Sequence, residues 1–216
     1  VNLCDIIAVG KEVVVDGPEF IKVVVNLCDI IAVGRGSVIN LRDIIDVDAR
    51  AGAQRSDRTR YLAAKASVRL AEPVRKRFEV VQLTQPLAES MKLKRALMED
   101  VIEAYTDAAD YGVAEVTTES TFRLAQVYES FAEDVMASER PQDLDADALE
   151  QYELLLEEQV FPIEEKAIDL YKANTDRAPD GIWDEWVERS FNRLAGLLPA
   201  RYAKLERSED VVTALY

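Results

Sequence analysis

Asp143, Asp145 and Asp147 alternate with other residues at the spacing that opens a calcium loop, where carboxylate oxygens surround a hard cation. Such a loop also needs Gly at its sixth position and Glu at its twelfth. Here those are Ala148 and Leu154, so the aspartates read more simply as the capped, negatively charged start of a helix. Glu157-Glu158 and Glu164-Glu165 recur at an interval of seven, which places both pairs on one side of a helix unless Pro162 rotates them. A di-metal carboxylate centre would set Glu-x-x-His pairs beside them, and the chain has no His. The glutamates therefore read as a solvated acidic face or a contact surface for a basic peptide. Trp183 and Trp186 lie three apart among Asp184, Glu185 and Glu188. One reading packs a ring in a helical core; the other makes an aromatic anchor in an acidic rim, suited to an Arg or Lys of a partner. Arg75, Lys76 and Arg77, with Lys92, Lys94 and Arg95, form a basic patch, either solvated or able to dock the acidic half of a neighbouring copy.

The chemistry missing from the sequence narrows the function further. Without His the chain lacks the usual general acid or base near neutral pH and the commonest metal ligand. It has no Gly-rich phosphate loop, no Cys-x-x-Cys site and no nucleophile elbow. These gaps argue against an enzyme and imply no cofactor. The net charge of −15 is divided unevenly: residues 51–96 carry 11 basic and 4 acidic side chains, residues 97–216 carry 10 basic and 29 acidic. Phosphates would be repelled by most of this surface, which disfavours nucleic acid and favours a basic protein or peptide. Cys4 and Cys28 form no disulfide framework, and no apolar run reaches the roughly 18 to 20 residues that cross a bilayer.

The elements that must position these groups fall into two regions. Residues 1–10 and 25–34 both read VNLCDIIAVG, and VINLRDIIDVD follows at 38–48. Such a repeat is either a genuine duplication or an artefact of sequence assignment, because natural repeats seldom keep ten identical residues while their linkers change length. Runs such as Val13-Val14-Val15 and Ile30-Ile31, bounded by Asp16-Gly17-Pro18 and Gly34-Arg35-Gly36, predict a small β-rich segment over residues 1–50. Beyond it, Ala, Leu, Glu, Lys and Arg recur with helical periodicity. The pattern predicts five long helices. The first runs from a Ser56 or Asp57 cap to about Leu83, kinked or split at Pro73. The second runs from Pro86 to Asp110, closed by Gly112 in the left-handed conformation, with Leu93, Leu97, Val101, Ala104, Tyr105 and Ala108 as its apolar stripe. The third starts from a Thr117 or Thr118 cap and ends before Pro141. The fourth extends from Asp145 to Thr175, with a bend near Phe161 at Pro162. The fifth runs from Ile182 to Pro199.

Thr121-x-x-Leu124-Ala125-x-x-Tyr128 and Phe191-x-x-Leu194-Ala195-x-x-Leu198 resemble the first helix of a tetratricopeptide repeat, and Ser67-x-x-Leu70-Ala71 echoes it. Val101-x-x-x-Tyr105-x-x-Ala108 and Ala167-x-x-x-Tyr171-x-x-Asn174 resemble its partner helix. Small residues at those places let helices approach, and the tyrosines fill the space between them. Leu124 and Leu194 are 70 positions apart, about twice the repeat's period of ~34, so the likeness is to a degenerate, elongated form. It covers residues 57–204. Tyr111-Gly-Val-Ala-Glu-Val-Thr-Thr118 and Leu198-Pro-Ala-Arg-Tyr202 are similar to such regions of large proteobacterial cell-envelope proteins. The resemblance implies a periplasmic or outer-membrane-associated setting.

The expected architecture is mainly all-α: an antiparallel, tetratricopeptide-like stack of helix hairpins over residues 57–205, a β-rich segment over 1–50 and a tail over 206–216. The expected role is a protein-interaction scaffold, with Glu157, Glu158, Glu164, Glu165, Trp183 and Trp186 meeting a basic or extended partner. Two alternatives stand beside it: a self-assembling homo-oligomer pairing through N-terminal strands, and a metal-dependent hydrolase using the acidic clusters.

Overall fold

The computed structural model describes residues 38–142 and 144–203. Seven α-helices lie in that range: α1 (Val38–Arg50), α2 (Asp57–Glu79), α3 (Leu87–Ala109), α4 (Ala114–Met136), α5 (Ala146–Thr175), α6 (Glu185–Leu197) and α7 (Pro199–Tyr202). Two compact units divide the chain within α2, Val1–Ala66 and Ser67–Tyr216.

In the first unit, the strand expectation fails for residues 38–50. This third copy of the repeated motif is helix α1, not a strand. Leu41, Ile44 and Asp48 are its buried positions, at intervals of three and four, so helical periodicity prevails over the β preference of Val and Ile. The other strand runs and both cysteines lie outside the described residues. Asp48 is held by Arg55, whose Nε and Nη2 donate to its carboxylate at 3.0 and 2.9 Å. Ser56 caps α2 as the sequence anticipates: its Oγ accepts the Thr59 N–H at 3.2 Å while Thr59 Oγ1 accepts the Ser56 N–H at 3.0 Å. Helix α2 ends at Glu79, short of Leu83, and runs unbroken through Pro73.

The second unit is a set of helices in which chain neighbours pack together. Helix α4 lies against α3, α5 and α6, and α6 also packs on α5. Short connections between packed neighbours make them antiparallel. Gly112, at φ 65°, closes α3 where a side chain would strain the backbone, and its N–H donates to Ala109 O. The buried stripe of α3 is Lys94, Met98, Val101, Tyr105 and Ala108; Leu93, expected inside, is exposed. Helix α4 begins at Ala114, ahead of the expected cap at Thr117 or Thr118. Thr118 is instead buried, and its hydroxyl donates back to the Ala114 and Glu115 carbonyls or onward to Asp184. Ala125 is fully buried, as close helix approach requires, whereas Ala195 is half-buried. Phe122, Ala125, Tyr171 and Leu194 form a core across α4, α5 and α6, with Ile168, Trp186, Leu198 and Tyr202 packed around it. No helix of the described residues is long and apolar enough to cross a membrane.

Candidate docking surface

Helix α5 has 30 residues and α6 has 13, which at 1.5 Å per residue are about 45 and about 20 Å long. The shorter helix reaches only part of the longer one. It shares the core with α5 in the latter's C-terminal half, at Tyr171, and bonds Asn174 through Ser190. The N-terminal half keeps Leu156 and Val160 buried but leaves Leu154 and Leu155 exposed by 55% and 57%, and Phe161, just past the midpoint, is exposed by 60%. Those three apolar side chains are interleaved with the four glutamates singled out above, all exposed.

Helical geometry arranges the set as a stripe. Leu154, Glu158, Phe161 and Glu165 follow one another at intervals of four, three and four and so share a face. Glu157 and Glu164 flank it on one side, Leu155 and Pro162 on the other. Helix α5 is continuous through Pro162, so both glutamate pairs stay on one side of it. None of the four carboxylates makes an ion pair within the described residues, unlike Glu129, Glu72 or Asp134. Asp145 caps this helix by accepting the Ala148 N–H at 2.8 Å. Asp143 lies outside the described residues, among which no group of three or more acidic or thiol side chains converges as a metal site would.

The two tryptophans part company. Trp183 is exposed by 61% and stacks on Phe191, ring centroids 5.6 Å apart, with Tyr202 6.3 Å beyond. Trp186 is no exposed anchor: its ring packs on Phe122 at 5.5 Å, and Arg123 and Arg189 stand over it at 4.8 and 4.9 Å. Nor does Trp183 join the glutamates. It follows the far end of α5, and Phe161 to Thr175 alone spans about 20 Å of helix.

Buried polar groups fix α6 against α5. Asn174 is fully buried; its Nδ2 donates to Thr118 O at 2.9 Å and to Ser190 Oγ at 3.1 Å, and its Oδ1 accepts from Arg177 at 2.7 Å. Asp184 accepts the Trp186 and Val187 N–H groups and bonds the Thr118 hydroxyl, so one cap ties α6 to α4. Sequence reading gave Asn174 only a packing place; a buried amide where a small residue was expected is the signal it carried.

Two Tyr–Glu–Arg groups recur. Tyr171 donates to Glu129 at 2.9 Å while Arg193 pairs with the same carboxylate, and Tyr105 donates to Glu72 at 3.3 Å while Arg75 forks onto it at 2.6 and 3.0 Å. Burial, then the neighbouring carboxylate, pushes the Tyr105 phenol up to about 12 and raises Tyr171 too. The hydrogen bond from Arg75 holds Glu72 below the usual carboxylate range. Near neutral pH these phenols stay protonated, so the groups link helices and offer no base there.

The basic patch also needs revision. Lys94 is fully buried, its Nζ 2.5 Å from Asp134 and 2.6 Å from Val81 O and lying over the Phe78 ring at 4.6 Å. Arg75 is engaged by Glu72 and Glu79. Lys76, Arg77, Lys92 and Arg95 remain exposed. No protein-family model, curated protein or solved structure matches the chain.

Proposed function

We propose that the chain is a protein-interaction module, a tetratricopeptide-like helical stack whose α5, from Leu154 to Glu165, binds a basic segment of a partner. The observation that carries this reading is the stripe of Leu154, Phe161, Glu158 and Glu165, apolar and acidic at once, on a stretch of helix that α6 is too short to cover. Apolar side chains exposed in a row gain burial on binding, at about 25 cal/mol per Å2, against the entropy of fixing them. Carboxylates around them select a cationic partner and speed its arrival. The repeat likeness is supported by the burial of Ala71, Ala125, Tyr105 and Tyr171 at the small and aromatic positions of the pattern, while helices of 23 to 30 residues depart from its usual length. That likeness is also what suggests a cell-envelope setting.

The test is affinity capture from cell lysate with the full chain and with a Glu157→Lys, Glu158→Lys, Glu164→Lys, Glu165→Lys variant. A protein retained at low salt by the first, shed at high salt and not retained by the second is the expected result. An identical set of captured proteins for both chains would refute the reading.

A further inference from the structure

We infer that the acidic stripe of α5 receives the basic end of a second copy of this chain, so that copies associate head to tail. This rests on the reading of α5 as a docking face and names its occupant. The complementary surface lies on the same molecule. Lys76 and Arg77 end α2, and Val80, exposed by 76%, continues their turn through its N–H bond to Lys76 O. Lys92 and Arg95 lie near the start of α3 with Leu93, exposed by 53%. Buried Lys94 joins the two sets by donating to Val81 O at 2.6 Å, which draws the first turns of α3 toward the end of α2.

The two patches match in chemistry and in number of charges. Four cations and two exposed apolar side chains face four carboxylates and three exposed apolar side chains. None of these eight charges has an ion-pair partner within the described residues. Within one copy α3 and α5 each pack on α4, and no ion pair among the described residues joins the two patches. Made once per pair, head to tail, such a contact is heterologous: it leaves a free acidic face and a free basic end on every pair and continues into a ring or an open row.

Sedimentation velocity on the full chain tests this with two variants, Lys76→Gln with Arg77→Gln, and Glu158→Gln with Glu165→Gln, all at exposed positions. The wild-type chain is expected to grow in mass with concentration at low salt, and each variant alone to associate about tenfold or more less strongly. Mixed, the two variants should form a pair of one copy each, since one keeps an intact acidic face and the other an intact basic end, and growth then stops. A wild-type chain that stays monomeric at low salt, or variants that do not pair on mixing, would overturn the inference. A monomeric chain that still captures a lysate protein through its glutamates leaves the docking face standing and removes only the second copy. Loss of both behaviours removes both.

Discussion

The two halves of α5 are built from similar residues and meet opposite fates. In the C-terminal half, Ala167, Tyr171, Asn174 and Thr175 are buried, and the Tyr171 hydroxyl and Asn174 amide find partners on neighbouring helices. The N-terminal half buries only Leu156 and Val160 and presents Leu154 and Leu155 to solvent, with Phe161 just past the midpoint. Helix length makes the difference. One short neighbour covers one half, and what it leaves bare is apolar enough to seek a partner and acidic enough to choose one.

Substitutions should separate the halves by size of effect. Tyr171→Ala empties a core place and removes a buried hydrogen bond, so unfolding in denaturant should show a loss of about 3–5 kcal/mol. Lys94→Ala strands Asp134, itself a third exposed, and should cost about 1–3 kcal/mol, whereas Lys92→Ala, two residues away and exposed, should change stability by under about 0.5 kcal/mol. Asn174→Ala leaves Ser190 and Arg177 short of a partner and should cost about 1–2 kcal/mol by the same assay.

Titration sharpens the contrast on the buried side. Tyr105 titrates near 10 when unfolded and near 12 when folded, so its contribution is complete below pH 10 and fades as pH climbs toward 12. Denaturation midpoints across that range should fall less steeply in Tyr105→Phe than in the wild-type chain. Glu72, held low, acts in the other direction: its contribution is present above the unfolded carboxylate range and fades as pH falls through its folded value. Glu72→Gln should therefore flatten the acid side of the same profile. The smallest stability effect belongs to Leu154→Ser and Phe161→Ser. Each should shift unfolding by under about 0.5 kcal/mol yet weaken association measurably, because these side chains are already exposed in the free chain.

Much of the helical framework was legible in the sequence. Pro86 and Gly112 bracket α3, Asp145 starts α5, and the small and aromatic positions of the repeat-like pattern, Ala125, Tyr105 and Tyr171, are buried. What escaped reading depends on partners remote in the chain. The stripe of α3 turns by one residue in its first half because Lys94 can extend its ammonium to Asp134 and Val81 O, a solution hydrophobicity alone would not choose over Leu93. Trp183 and Trp186 share a composition, and only the docking of α6 on Phe122 decides which is covered. In α1 a β-rich composition concealed the spacing of Leu41, Ile44 and Asp48. The reach of α6 along α5 was hidden too, since it depends on where a helix stops relative to a neighbour.

Carboxyl footprinting tests the central claim most directly. Carbodiimide labelling of the associated chain at low salt should protect Glu157, Glu158, Glu164 and Glu165 relative to the dissociated chain at high salt, while exposed Glu188 and Asp180 label alike in both. Equal labelling of the four glutamates in the two states would contradict the docking of a second copy on α5 from Leu154 to Glu165.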